Sequence, residues 1–108
     1  MDQNTNIDYK YNEVELLKQL KLYIDSTYSE HYAQGKIQTT EFIIDAGHGI
    51  GHTVGNIIKY AQRYGRKGGR NRKDIQKILH YALIMLHVHD LETKPSIMKL
   101  TTINNEDI

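Results

Sequence analysis

The chain contains no cysteine. Disulfide frameworks and thiolate metal sites are therefore excluded, and the composition fits a reducing compartment. No apolar run approaches the roughly 20 residues that a membrane-spanning helix needs. The opening MDQNTNIDYKYNE has neither the basic start nor the apolar middle of a secretory signal. A cytoplasmic protein with no membrane partner is expected. Proline occurs once, at Pro95, where it is expected to close the folded region and leave a polar tail over 95–108. Internal repeats and low-complexity segments are missing, as is any serine, histidine and carboxylate grouping suited to nucleophilic catalysis.

What remains is a chain of 108 residues, enough for one domain and small enough for its helices to leave an apolar face for a partner subunit. Residues 1–11 are polar and aperiodic and read as a loose arm, with Tyr9 and Tyr11 as its adhesive side chains. Asn12 and Glu15 suit the start of a first helix, whose stripe of Leu16, Leu17, Leu20, Tyr23, Ile24 and Tyr28 stops at Gly35. Thr39 or Thr40 can cap a short second helix through Phe42, Ile43, Ile44 and Ala46, although such an apolar run could equally be a strand. Gly47, Gly49 and Gly51 are expected to interrupt regular structure before a third helix over 53–64. Its inward face would carry Val54, Ile57, Ile58, Ala61 and Tyr64, its outward face Asn56, Lys59, Tyr60 and Arg63.

A second capping pair, Asn71 and Asp74, opens the clearest helix of the chain. One stripe holds Ile75, Ile78, Leu79, Ala82, Leu83 and Leu86, and another side holds Tyr81, Ile84, Met85 and Val88. A helix apolar on two sides is central or lies at an interface, so a homo-oligomer through helix four is expected. The fold class is all-α. It should be a small bundle of three long helices and one short, in a single domain over 1–108, with a glycine-rich basic loop between helices three and four.

The formal net charge of +1 hides a local excess. Arg63, Arg66, Lys67, Arg70, Arg72 and Lys73 precede the first acid, Asp74, while Gly65, Gly68 and Gly69 let the backbone approach a ligand closely. Phosphate is the natural candidate. Helix three places Asn56, Lys59 and Arg63 three to four residues apart, flanked by Tyr60. Cations can hold phosphates, asparagine can read a base edge and tyrosine can stack on a base. The competing reading is a solvated helix face with ordinary cations.

The segment 46–53, AGHGIGHT, comes close to a Walker-type phosphate loop, but His52 stands where the lysine should be and no second strand offers a magnesium-binding aspartate. Backbone N–H groups at the start of helix three could still bind an anion. His48 and His52 are four apart, and HVHD over 87–90 resembles one fragment of an HD phosphohydrolase site. The further ligands of such a site are missing, so neither metal nor cofactor is expected. Nucleic acid is disfavoured because the basic charge is confined to about ten residues and the helix that follows is mostly apolar.

The spacing of Gly55, Asn56, Lys59, Tyr60, Arg63, Gly65, Lys67, Asp74, Lys77 and Tyr81 resembles the GN-x-x-KY-x-x-R…K…D-x-x-K-x-x-x-Y signature of a family of small bacteriophage proteins. That family includes a podophage nucleotide kinase that phosphorylates deoxynucleoside monophosphates without a Walker loop. The resemblance covers about residues 41–90, and the first 40 residues carry no such signal. It implies a phage origin, the cytoplasm of an infected bacterium as the place of action, and a nucleotide held by Asn56, Lys59, Tyr60, Arg63 and Lys67. His52, Tyr64 and Arg66 complete the candidate site. Anion donors and stacking rings are plentiful and acid–base groups scarce, which suits holding a nucleotide better than transforming one. A sponge for a small, cyclic nucleotide signal of host immunity is thus expected ahead of a nucleoside monophosphate kinase, with a DNA-binding module third.

Overall fold

The computed structural model describes the backbone of residues 7–104 and the side chains of residues 7–93. Its elements are α1 (Glu13–Ala33), α2 (Lys36–Asp45), α3 (Gly49–Arg63) and α4 (Arg72–Asn104), and no strand longer than an isolated bridge occurs among the described residues. The protein is all-α. Residues 1–6 of the expected arm and 105–108 of the expected tail lie outside the described residues.

Asn12 holds the N-cap position of α1 with a left-handed φ of 62° and makes no side-chain cap bond. Instead Glu13 Oε1 accepts from the Tyr11 N–H at 3.0 Å, placing an acid at the positive end of the helix dipole. Gly35, with φ 75°, stops α1 as expected and serves at once as the N-cap of α2. Thr39 and Thr40 are not caps. They lie inside α2, where their hydroxyls donate to the carbonyls of Gly35 and Lys36 at 2.9 and 3.0 Å, and the apolar run is helix rather than strand.

Helix α3 begins at Gly49, ahead of the expected start at Thr53. Gly47, at φ 91°, breaks the chain, whereas Gly49 and Gly51 are helical. Gly49 is there for space: a Cβ on it would lie 2.9 and 3.0 Å from the two γ-carbons of Val88 and 3.2 Å from Ile44 Cγ1. Val88, 1% exposed, and fully buried Thr53 complete this close crossing of α3 and α4. The Thr53 hydroxyl donates back to the Gly49 and Ile50 carbonyls, so its burial leaves no unmet donor.

The orientation of α3 differs from the expected one in part. Ile57 and Tyr64 are half-buried and Lys59 is exposed as expected, but Val54, Ile58 and Ala61 are exposed while Asn56, Tyr60 and Arg63 are half-buried. The reason lies on α4, where Asp74, 2% exposed, stands opposite Arg63 and Tyr81 stands against Tyr60. A charged and aromatic seam on α4 selects the polar face of α3.

At the start of α4, Asn71 caps as expected, its Oδ1 accepting from the Lys73 N–H at 3.0 Å. Pro95 does not close the region, because α4 runs through it to Asn104. Proline removes one ladder bond, and the rest of a 33-residue helix stays in place around it.

The chain is open. Leu20 and Val88 are the large apolar side chains buried among the described residues, and Leu16, Leu17 and Tyr28 of the expected α1 stripe are exposed. Ile75, Leu79, Leu83 and Leu86 form an exposed apolar stripe along α4. No described helix is long and apolar enough to cross a membrane.

Candidate functional site

Positions 56, 60 and 63 share one side of α3 because they recur at helical spacing, and positions 74, 77 and 81 do the same on α4. The seam between these two faces gathers the chemistry. Tyr60 stacks on Tyr81 with ring centroids 6.2 Å apart and planes 14° from parallel. Three cations surround the Tyr60 ring: Lys59 Nζ at 5.0 Å from its centroid, Lys77 Nζ at 5.4 Å and Arg63 Cζ at 5.9 Å. Each lies within cation–π range, which partly offsets their mutual repulsion.

Arg63 is also tied inward, its Nε 3.6 Å from Asp74 Oδ1. That is an ion-pair separation and not a hydrogen bond: Arg63 Nε and Asp74 Oδ2 are both buried without a hydrogen-bond partner. Asp74 therefore serves as the counter-charge of the seam, and its N–H, bonded to the Asn71 carbonyl at 3.0 Å, is its part in opening α4.

The other expected site residues divide. His52 joins the seam, its ring edge-on to Tyr81 at 6.0 Å and its Nε2 buried without a partner. Asn56 lies between them but spends its Nδ2 donor on the His52 carbonyl, at 2.9 Å. Tyr64 stands apart, its hydroxyl accepting from Arg70 Nε at 3.4 Å. Arg66 and Lys67 are exposed in a tight turn, where Arg66 bridges Gly69 and the Gly65 N–H donates to the Gly69 carbonyl at 2.9 Å. Gly65, Gly68 and Gly69 all have positive φ there. None of the described contacts joins the side chains of Arg66 or Lys67 to the cations at Tyr60.

Beside the seam lies a half-open cleft of about 570 Å³ walled by α1, α2 and α4, with Tyr60 entering from α3. That volume is in the range of small-molecule sites. Its polar lining includes His31, Lys36, Lys77, His80 and Tyr81, and Glu41 is the one carboxylate among its lining residues. Tyr23 meets His80 edge-on at 6.4 Å, so aromatic rings run along the floor from Tyr23 through His80 and Tyr81 to Tyr60. Burial, aided by the charges of His31 and Lys77, holds the His80 imidazole below its ordinary value of 6.5. His31 is lowered as well, by burial and then by Lys36 and Lys77, with Glu30 opposing. Burial raises the Tyr81 phenol, with smaller contributions from Tyr60 and Tyr23.

Reading the sequence for charge alone missed the cleft. Lys77, His80 and Tyr81 share a side of α4 and could be found by spacing, but His31 and Lys36 flank the turn at Gly35 and reach the cleft only through the packing of α1 and α2. Among the described residues no group of three histidine, aspartate or glutamate side chains is arranged to hold a metal ion.

Comparison with known proteins assigns the sequence to a family. No curated protein and no solved structure matches the chain. Residues 26–83, more than half of the chain and including Lys36, Tyr60, Lys77, His80 and Tyr81, match DUF3310, a family described as a protein of unknown function. The chain belongs to the DUF3310 family.

Proposed function

We propose that the protein binds a small nucleotide at the seam of α3 and α4 and holds it unchanged, acting in an infected bacterium as a phage sponge for a cyclic nucleotide signal. The observation that carries this reading is the convergence of Lys59, Arg63 and Lys77 on the Tyr60 ring at the edge of an aromatic-floored cleft. Cations attract the phosphates, and tyrosine and histidine rings offer flat surfaces to a base. Holding is favoured over transfer because Asp74 is buried against Arg63 and Glu41 is the only carboxylate lining the cleft. Phosphoryl transfer asks for a positioned base and usually for carboxylates that carry a metal.

The same reading includes a second copy of the chain. The exposed α4 stripe of Ile75, Leu79, Leu83 and Leu86 supplies apolar surface for it. A chain with so small a core of its own needs its partner whenever it is folded, and another copy is always to hand.

The test is isothermal titration against a panel of nucleoside monophosphates and cyclic dinucleotides, with chromatography of the recovered ligand. Binding with unchanged ligand is expected, and its affinity should fall only gently with salt. A converted ligand would replace sequestration with nucleoside monophosphate kinase activity. Tight, steeply salt-dependent binding to a duplex of about 20 base pairs, with no binding of small nucleotides, would overturn the reading in favour of nucleic acid.

A further inference from the structure

The cleft gathers lysine and histidine side chains from three helices. His31 comes from the last turn of α1, Lys36 from the first residue of α2, and Lys77 and His80 from one turn of α4. All line the same cavity. Among the described residues neither Lys36 nor Lys77 pairs with a carboxylate within 4 Å; Lys77 rests near the Tyr60 ring, and Lys36 makes no described side-chain bond. The groups that face the two imidazoles are Glu30 and Tyr23 of α1, Lys36 and Glu41 of α2, Tyr60 of α3, and Lys77, Tyr81 and His87 of α4. Lys36 and Lys77 are matched in formal charge by Glu30 and Glu41 in that set, yet neither carboxylate lies within 4 Å of either ammonium group. Two unpaired ammonium groups beside two imidazoles in one cavity leave donors directed at the cavity for an anion to complete.

We infer that His31, Lys36, Lys77 and His80 form a phosphate-binding site, and that it takes a phosphate of the nucleotide whose base lies on the Tyr60 and Tyr81 rings. This assignment rests on the nucleotide reading above and adds where a phosphate goes. It places that phosphate in the cleft between α1, α2 and α4 rather than in the glycine-rich turn of Arg66 and Lys67. Geometry and charge agree: the two ammonium groups supply permanent positive charge, and the imidazoles supply N–H donors that gain a second proton when an anion arrives. Without ligand both imidazoles are held toward the neutral form. A bound phosphate reverses the sign of their surroundings, so binding takes up protons and tightens as pH falls.

The experiment follows the imidazole C–H resonances of His31 and His80 through a pH titration. It is run on the free protein, with inorganic phosphate, with adenosine 5′-monophosphate and with a cyclic diadenosine dinucleotide. Calorimetry of Lys36→Ala, Lys77→Ala and Lys59→Ala runs beside it. Both histidines are expected to titrate at higher pH with ligand bound, nucleotide affinity to rise between about pH 8 and pH 6, and Lys36→Ala to weaken binding by about tenfold or more. Lys36 is exposed, so circular dichroism of Lys36→Ala should match the parent. A response to the monophosphate alone supports the site with a terminal phosphate, and a response to the dinucleotide alone supports it with a bridging one. If nucleotides bind while both histidines and the affinity of Lys36→Ala are unmoved, this site is wrong and the nucleotide reading stands. If inorganic phosphate shifts both histidines and no nucleotide binds, the site stands and the nucleotide reading falls.

Discussion

Gly49→Ala tests the helix crossing on which the seam depends. The first atom of the new side chain would sit 2.9 and 3.0 Å from the Val88 γ-carbons and 3.2 Å from Ile44 Cγ1. Carbon atoms pack at about 3.5–4.0 Å, so several tenths of an ångström must be found. Val88 is 1% exposed and has no open side to yield toward. Overpacking of this kind costs about 1–3 kcal/mol. The opposing gain from replacing a helical glycine is about 1 kcal/mol in a helix interior and less at the first residue of α3, where Gly49 stands. A net loss of about 1–2 kcal/mol follows. Gly55→Ala is the control: nothing lies within 4 Å of its Cβ position, it is interior to α3, and it should gain about 0.5–1 kcal/mol. Urea unfolding monitored by circular dichroism, at one fixed protein concentration, measures both. Adding Val88→Ala to Gly49→Ala should cost less than the two single changes summed, by about 1 kcal/mol. Equal stabilisation by Gly49→Ala and Gly55→Ala would refute the close crossing, and so would strict additivity with Val88→Ala.

Further expectations concern the site and its supports. Arg63→Ala and Lys59→Ala should each weaken nucleotide binding by about 1.5–3 kcal/mol in calorimetry. They part in stability: Arg63→Ala strands the buried Asp74 carboxylate and should cost about 3 kcal/mol, whereas exposed Lys59 should stay within about 0.5 kcal/mol of the parent. If the proposed dimer forms through the α4 stripe, Leu79→Glu with Leu86→Glu should dissociate it in sedimentation and lower its melting temperature; an unchanged oligomer would put the interface elsewhere, and a monomeric parent would end the dimer reading. Because His80 binds its proton more weakly folded than unfolded, stability without ligand should be full above about pH 6.5 and fall as pH drops below it. The slope should be shallower in His80→Gln, which a denaturation series across pH will show.

How much of this was legible in the sequence varies from element to element. The Asn71 cap and the two apolar sides of α4 could be read because both are local: a cap needs its neighbours, and a stripe needs only its own period. The start of α3 was misplaced because glycine usually marks a break, and only Val88, far along the chain, explains why Gly49 stays helical. Orientation failed at Val54 and Ile58 for a similar reason. An apolar stripe is assigned to the core by default, yet Asp74 and Tyr81 offer Arg63 and Tyr60 a better match than this chain offers those aliphatic side chains. Lys59, Tyr60 and Arg63 were grouped by spacing and are together in space. His31 and Lys36 carry no such signal, since no periodicity spans the turn between their helices.

The segment 64–71 that joins α3 to α4 has a kinetic consequence. Its Gly65 to Gly69 bond and its positive-φ glycines fold the chain back on itself using neighbours alone. Local closure of this kind is fast, since little loop entropy is lost before contacts form. The helical hairpin of α3 and α4 can therefore close early. Helices α1 and α2 then dock on a surface already made. The cleft, which needs His31 and Lys36 from those helices, is then expected to be completed after the hairpin, and hydrogen exchange should show α1 and α2 opening before α3 and α4.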